Sequence, residues 1–254
     1  MSPSVVVATA LAVVPMPARA ACTPTGIDLT GTWARLQVTT AISTVPVLGE
    51  VESKTRGLVL LRASMRETDD FVLEEEICEL TNVTAGGVIK TIFPQKFVHA
   101  LSGRKKNVRL MRDAAGRVRY EELYYVHIGG AHLENPRFEP LPTQSDDPRI
   151  VDADEDGHPG LTLEVGGLIG GEIYIVQRDA SELSGSFLSP NRIVGRVSWE
   201  SEQSVVDASP SLLKANPHAR PHPSTRANFF RMRRVPVHAT CDDVKTRARK
   251  LFGP

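Results

Sequence analysis

"RVRYEELYYVHI" (Arg117–Ile128) is the stretch that decides the fold class, because its large side chains occupy every second position. Alternate residues of a β-strand point to the same face of a sheet. One face of this strand would therefore carry Val118, Tyr120, Glu122, Tyr124, Val126 and Ile128. If that face lines the interior of a closed sheet, Tyr120, Glu122 and Tyr124 would be polar anchors for a small ligand in an apolar cavity. The alternatives are that Glu122 pairs with an arginine or that the face meets solvent.

The same two-residue period recurs along most of the chain. Strand-like segments of this kind include residues 31–40, 57–66, 71–80 and 87–101, and more of them follow Leu161. Turns rich in Gly or Asp separate about ten to twelve such segments, a pattern typical of an antiparallel meander. We therefore predict an all-β protein, built as an antiparallel meander β-barrel.

The C-terminal segment is the place where a helical period is clear. In "TCDDVKTRARKLF", Thr240 can cap a helix and Asp243 stands three residues later, which is the spacing of a capping box. Val244, Ala248 and Leu251 then share one face of the helix. The sequence predicts a helix over about residues 240–251 that lies against the outside of the barrel.

Composition limits the class of protein and its partners. The chain has 254 residues, of which 41% are hydrophobic and 24% are charged. This length suits one large domain, and we expect a single domain over residues 21–254. Thirty basic residues balance thirty acidic ones, so no global field favours nucleic acid. No apolar run approaches the roughly 20 residues that span a bilayer, so we expect no transmembrane segment. The oligomeric state is left open.

The N-terminus predicts export. "SVVVATALAVVPMP" is a short apolar segment, and Ala18–Arg19–Ala20 suits a cleavage site, so residues 1–20 are predicted to be a signal peptide. The expected location is outside the cell or in the periplasm or cell envelope. In an oxidising compartment the three cysteines favour one disulfide, and we predict Cys78–Cys241. Cys22–Cys241 is the rival pairing, and Cys22 could instead be free or carry a lipid.

A family resemblance appears at "IDLTGTWA" (Ile27–Ala34). Gly31-Thr32-Trp33 resembles the Gly-x-Trp motif with which lipocalins and the wider calycin group begin their barrel. The resemblance implies that Trp33 closes the base of the barrel and that an arginine of the last strand packs over its ring. "FFRMRRV" supplies Arg231, Arg233 and Arg234 near the end of the β region. A barrel of this kind implies a small hydrophobic ligand.

An acidic stretch, "VDADEDGHPGLTLEV" (Val151–Val165), predicts a calcium loop. Carboxylates at alternate positions converge when the backbone curls, as Asp152, Asp154 and Asp156 would do, and a glycine follows them. The backbone carbonyl of His158 is the expected next ligand. The remaining oxygens would come from water, from Asp146 or Asp147 upstream, from Glu155 or Glu164, or from Thr162. Gly160 stands where strand-flanked calcium loops carry an Asp, so a modest structural Ca²⁺ site is expected. The alternative is an acidic surface turn that binds no ion.

No motif for catalysis emerges from the sequence. It lacks Gly-x-Ser-x-Gly, and no Ser or Cys is framed by His and Asp in a familiar arrangement. We therefore expect a non-catalytic, secreted β-barrel that binds a small hydrophobic molecule and carries a structural calcium loop. The rival hypothesis is a structural or interaction module of the cell envelope with a filled core. An enzyme that uses the barrel mouth is the third.

Overall fold

The computed structural model describes residues 24–45, 49–87, 89–167, 170–216 and 218–253. The predicted signal peptide and Cys22 lie outside the described residues. The described residues form eleven β-strands, two α-helices and one short 3₁₀ turn at Ser211–Leu213. The elements before the acidic loop are β1 (Gly31–Val45), β2 (Gly49–Glu67), β3 (Asp70–Thr84), β4 (Ile89–Ile92), α1 (Gln95–Ala100), β5 (Arg104–Arg112) and β6 (Val118–Gly129). Those after it are β7 (Leu161–Gly167), β8 (Gly171–Ser189), β9 (Arg192–Ser209), β10 (Ala219–Pro221), β11 (Phe229–Arg234) and α2 (Cys241–Phe252).

Eight of the strands form a closed ring. Their order is β1-β2-β3-β5-β6-β8-β9-β11, and β11 pairs with β1 to complete the circle. Every pairing between strands is antiparallel. Each of the eight strands therefore pairs with a neighbouring strand on both sides over at least part of its length. The prediction of an all-β antiparallel meander with a C-terminal helix is confirmed.

Three elements build up one end of the ring beyond the eight strands. β8 is long enough to pair with β7 along its first part and with β6 along its later part. β4 then pairs with the free edge of β7, and α1 follows β4 and packs against β3 and β7. Phe97, Val98 and Leu101, in and just after α1, are buried against Leu161 and Ile175. This end of the ring is therefore covered on one side by a helix that rests on an apolar cluster.

The opposite end of the ring is filled by apolar side chains. Trp33 is fully buried there, and its indole Nε1 donates to the carbonyl of Leu29 at 2.9 Å. The guanidinium of Arg234 lies 4.4 Å from the centre of the Trp33 ring. The expectation that an arginine of the last strand covers Trp33 is met by Arg234, whereas Arg231 and Arg233, which are also predicted to help close the barrel, do not reach the Trp33 ring.

The alternation of β11 explains this correction. Phe230 and Met232 are buried in the interior of the ring, so Arg231 and Arg233 between them point outward. Arg231 donates to the carbonyl of Phe252 at 2.6 Å, and Arg233 Nε donates to the carbonyl of Leu251 at 2.9 Å. Both arginines therefore bind the last carbonyls of α2, which have no partner within the helix.

α2 covers the outside of the ring at β1, β2 and β3. Its buried face, Val244, Ala248 and Phe252, packs against residues on the outer side of β1 and β2. Those residues are Ala34, Leu36, Val38, Leu58 and Leu60. The helix begins with the predicted capping box of Thr240 and Asp243, and the Cys78–Cys241 disulfide joins its first turn to β3. The predicted disulfide and helix are confirmed.

Candidate functional site: a charged layer beneath an interior cavity

Long charged side chains lie inside the ring, at positions where an apolar core is the rule. Arg35 of β1, Glu75 of β3, Lys106 of β5 and Glu122 of β6 are each no more than 5% exposed. They lie above the apolar floor formed by Trp33 and its neighbours, and we call these four residues the charged layer. Burial of charge is costly unless the charges are paired, so their partners decide whether the layer is stable.

The charged layer is held by ion pairs across the ring. Arg35 Nη1 donates to Glu122 Oε2 at 2.8 Å, and Arg35 Nη2 donates to Glu75. Lys106 Nζ lies 3.1 Å from Glu122 Oε1 and 3.4 Å from Glu75 Oε2. The hydroxyl of Tyr120, which is fully buried, donates to Glu122 Oε2 at 2.9 Å. Each carboxylate therefore meets both cations of the layer.

The pKa values of the layer follow from this pairing. Burial by itself raises the pKa of Glu75, but the charges of Lys106, Arg35 and Arg104 outweigh it and hold this pKa at about 2. For Glu122, burial again opposes ionisation, and Lys106 and Arg35 hold its pKa below the usual value. Burial raises the pKa of Tyr120 well above 10, so its hydroxyl keeps the proton that it donates. The carboxylates are ionised and the tyrosine is neutral.

A cavity of about 300 Å³ lies next to the charged layer, towards the end of the ring that carries α1. Its charged wall comes from three basic residues, Arg35, Arg104 and Lys106, and two acidic residues, Asp179 and Glu200. Its apolar wall comes from Val59, Ile77, Leu80, Phe93, Phe97, Leu101 and Trp199. A volume of about 300 Å³ is at the lower end of the range for small-molecule pockets, about 300–1,000 Å³.

Two guanidinium N–H groups at this cavity have no acceptor. Arg35 Nε and Arg104 Nε are buried and have no hydrogen-bond partner among the described residues. Arg104 is also only loosely paired, since its Nη2 lies 3.5 Å from Glu75 Oε2. A buried donor that lacks an acceptor costs about 1–3 kcal/mol, so the two groups are poised to bind one.

Asp179 and His127 add two further titratable groups, both half-buried. Asp179 lines the cavity and accepts from Gln177 Nε2 at 2.9 Å, and burial raises its pKa. Burial, together with the charges of Arg104 and Lys106, lowers the pKa of His127 to about 4. His127 is therefore neutral at physiological pH, and its Nε2 is buried without a partner among the described residues.

The predicted ligand-binding residues of β6 divide into two groups. Tyr120 and Glu122 are inside the ring, but Glu122 is engaged by Arg35 and Lys106, which is the alternative that the sequence left open. Tyr124 is 45% exposed and lies against Arg137 outside the ring, so its predicted interior position is wrong. The pairing of β6 with β8 shifts register between Glu122 and Tyr125, and a bulge of this kind reverses the alternation of faces.

The predicted calcium ligands also divide into two groups. One carboxylate oxygen from each of Asp152, Asp154 and Asp156 lies within 4.8 Å of the others. His158 follows in the same loop, and its ring stacks on that of Tyr174 at 4.3 Å between centroids. Glu164 lies outside this group, exposed on β7 and in register with Ile92 and Glu172.

Sequence reasoning missed most of the charged layer, although one signal for it was present. The alternation in "GTWARLQVTT" places Arg35 on the same face as Trp33, the residue expected inside the barrel. Glu75 and Lys106 sit in strands that carry several charges in a row, so nothing local distinguishes the buried charge from its exposed neighbours. Their role depends on which residues meet across the ring.

Comparison of the chain with protein-family models, curated proteins and solved structures finds no match. Neither helix of the described residues is long and apolar enough to cross a membrane.

Proposed function

We propose that the protein is an exported, non-catalytic binding protein of calycin-like type. In this proposal its ring holds a small amphipathic molecule with an anionic head group and an apolar body. The head group would lie on the N–H groups of Arg35 and Arg104, and the body would lie against Phe93, Phe97 and Leu101. The observation that carries the proposal is the pair of buried guanidinium donors without acceptors in the wall of a cavity.

The preference for an anion rests on the unused guanidinium N–H groups and not on the net charge of the cavity, because Asp179 and Glu200 line it beside the three cations. Arg35, Arg104 and Lys106 form ion pairs with Glu75 and Glu122, although Glu75 Oε2 accepts no hydrogen bond among the described residues. A carboxylate, sulfonate or phosphate of the ligand would accept from the unused N–H groups. Such charge-assisted hydrogen bonds are short and about twice as strong as neutral ones.

The preference for an apolar body follows from the remaining wall of the cavity. Three residues in and around α1, namely Phe93, Phe97 and Leu101, line one side, and Trp199 of β9 lines another. These side chains offer apolar area on which a flat or short-chain group can pack. A ligand of this shape would place its charge near the middle of the ring and its body towards the covered end.

The disulfide supports the export part of the proposal. Cys78–Cys241 joins α2 to β3, and structural disulfides of this kind persist in oxidising compartments. Three features support the calycin-like part of the proposal. They are the ring of eight strands with Gly31-Thr32-Trp33 at its closed base, the arginine over that tryptophan and the helix on the outside.

A matched pair of dyes tests the head-group preference. Anilinonaphthalene sulfonate carries an anionic group, and N-phenylnaphthylamine has the same ring system without it. We expect the sulfonate dye to bind the protein more tightly than the neutral dye, measured by fluorescence titration. Arg104→Gln should weaken binding of the sulfonate dye by about tenfold or more and leave the neutral dye nearly unaffected, because it removes a charged donor.

A second variant tests whether the dyes enter the ring. Thr39 lines the cavity, and Thr39→Trp should fill part of it and weaken binding of both dyes. Thr81→Trp is the matched control, since Thr81 is exposed on β3 and does not line the cavity. If neither dye binds, or if Thr39→Trp binds both as well as Thr81→Trp does, the proposal is wrong and the filled-core interaction module is favoured.

A further inference from the structure

We propose that the loop of residues 152–160 is a Ca²⁺ site built on the carboxylates of Asp152, Asp154 and Asp156. This site is separate from the cavity, and the proposal does not depend on ligand binding in the ring. The three carboxylates converge within 4.8 Å, which is close enough for one cation to bind all of them.

The second observation is an unused oxygen that is buried at this cluster. Asp154 is only 6% exposed, and its Oδ1 has no hydrogen-bond partner among the described residues. Its other oxygen, Oδ2, accepts from the backbone amide of Thr162 at 2.9 Å. Thr162 is itself 5% exposed, and its hydroxyl has no partner among the described residues either. Two neighbouring buried oxygens therefore lack the donor or cation that burial demands.

The charge around the cluster has the sign that a cation requires. Among the described residues no salt bridge joins Asp152, Asp154 or Asp156 to a basic side chain, although Lys96 of α1 donates to the carbonyl of Glu155 and its charge acts on Asp152. The salt bridges elsewhere in the described chain engage most of its other buried carboxylates. A hard divalent cation bound by these oxygens would neutralise a charge that the protein leaves unpaired.

The loop is also held in the shape that such a site needs. Both oxygens of Asp152 accept backbone amides, from Asp156 at 3.1 Å and Gly157 at 2.8 Å, which curls the chain over the cluster. Gly160 closes the loop by a bridge to Asp152 and lies against β8. A Cβ at Gly160 would lie 2.3 Å from the carbonyl oxygen of Ile175, so no aspartate fits at this position. The site must therefore complete its shell with backbone oxygen, the Thr162 hydroxyl and water, which favours modest affinity.

Terbium luminescence tests the site directly, because Tb³⁺ replaces Ca²⁺ and emits when a nearby tyrosine is excited. Tyr174 is well placed as the donor, since its ring stacks on His158 of the same loop. We expect sensitised Tb³⁺ emission that millimolar Ca²⁺ displaces. Ca²⁺ should also raise the thermal midpoint relative to EDTA. Tyr174→Phe should remove most of the emission but keep the rise in the midpoint.

Asp154→Asn tests the ligand set, and Asp146→Asn is its matched control. Asp146 is an exposed carboxylate of the preceding loop and lies outside the cluster. Asp154→Asn should weaken Tb³⁺ binding at least tenfold, and Asp146→Asn should leave it unchanged. If Asp154→Asn does not fold, wild type and Tyr174→Phe still decide the question. The proposal is overturned if wild type shows no sensitised emission and no Ca²⁺-dependent midpoint, or if Asp146→Asn weakens Tb³⁺ binding as much as Asp154→Asn.

Discussion

At the scale of single residues, the charged layer depends on its ion pairs, because a buried charge without a partner lowers the free energy of unfolding. Glu75 is 1% exposed and meets Arg35, Arg104 and Lys106, so its charge neutralises several buried cations. Glu75→Gln keeps the shape of the side chain, but it leaves Arg35 and Lys106 with only Glu122 and removes the carboxylate that pairs with Arg104. Breaking a buried ion pair from one side costs about 3–5 kcal/mol, and we expect a loss of that size in the free energy of unfolding measured with urea.

Glu74→Gln is the control for this prediction. Glu74 is the neighbour of Glu75 on β3 but is exposed, so loss of its charge should change the free energy of unfolding by less than about 0.5 kcal/mol. Equal effects of Glu74→Gln and Glu75→Gln would show that the layer adds nothing to stability.

Two glycines of the acidic loop separate backbone strain from steric clash. Gly157 has φ of 92° and Gly160 has φ of 89°, and both values favour glycine. A Cβ at Gly157 meets open space, whereas one at Gly160 meets the carbonyl oxygen of Ile175 at 2.3 Å. Gly157→Ala should therefore cost about 1–2 kcal/mol in the free energy of unfolding, from conformation alone. Gly160→Ala should cost clearly more, and a chemical denaturation series that finds equal losses would contradict this account.

At the scale of elements, the sequence predicts strands better than it predicts which way their side chains face. The alternation of "RVRYEELYYVHI" correctly gives a strand at β6 and correctly places Tyr120 and Glu122 together. It fails at Tyr124 because a bulge between Glu122 and Tyr125 reverses the faces, and only the pairing with β8 shows that bulge. The identity of the arginine over Trp33 likewise depends on register, because Arg234 is the residue paired with Trp33.

The residues of the candidate site are likewise predictable from the sequence only where a local pattern marks them. Glu122, Asp152, Asp154 and Asp156 are recognisable from local pattern, because their spacing alone brings them to one face or one loop. The charged layer requires residues that are 16 to 87 positions apart in the chain to meet across the ring. No local rule distinguishes Lys106 from Lys105, which differ only in the face of β5 on which they lie.

The disulfide is the covalent link between α2 and the ring, and its removal should lower the free energy of unfolding of the whole protein. It closes a separation of 163 residues. A loop of that length corresponds to about 5 kcal/mol in the chain-entropy model, and measured losses are about 2–5 kcal/mol. We expect Cys78→Ala with Cys241→Ala to lower the free energy of unfolding within that measured range. A reductant should lower the stability of wild type and have no further effect on the double variant; a reductant that affects both equally would contradict the prediction.

At the scale of the whole molecule, the ring is divided along its axis. One end is filled by apolar residues around Trp33, the middle holds the charged layer, and the other end contains the cavity next to α1. The acidic loop adjoins that same end, since Lys96 of α1 donates to the carbonyl of Glu155 at 2.5 Å. The end around Trp33 stabilises the fold through buried apolar side chains. The end next to α1 carries the buried polar atoms that lack partners among the described residues and on which the two proposals rest: the Nε atoms of Arg35 and Arg104, Asp154 Oδ1 and the hydroxyl of Thr162.

His127 and Glu75 make the stability of the whole molecule depend on pH, because the pKa of each changes on folding. The pKa of His127 falls from 6.5 to about 4 on folding, so between these values the unfolded chain binds more protons than the folded one. Stability must then fall as the pH drops from 6.5 to about 4, by up to about 3 kcal/mol for a shift of this size. Glu75 adds a second loss at lower pH, because its pKa falls from 4.5 to about 2 and its stabilisation disappears as the pH drops through that range.

His127→Asn separates the pH range in which His127 lowers stability from the lower range in which Glu75 does. It should flatten the dependence of the urea unfolding free energy between pH 6.5 and pH 4, because no imidazole is left to bind the proton that folding excludes. The loss below pH 4.5 that belongs to Glu75 should remain. His99→Asn, which removes an exposed imidazole from α1, controls for the loss of a histidine elsewhere. If His127→Asn keeps the full wild-type slope between pH 6.5 and pH 4, another group is responsible, and the pKa of His127 is not lowered by burial and the nearby cations.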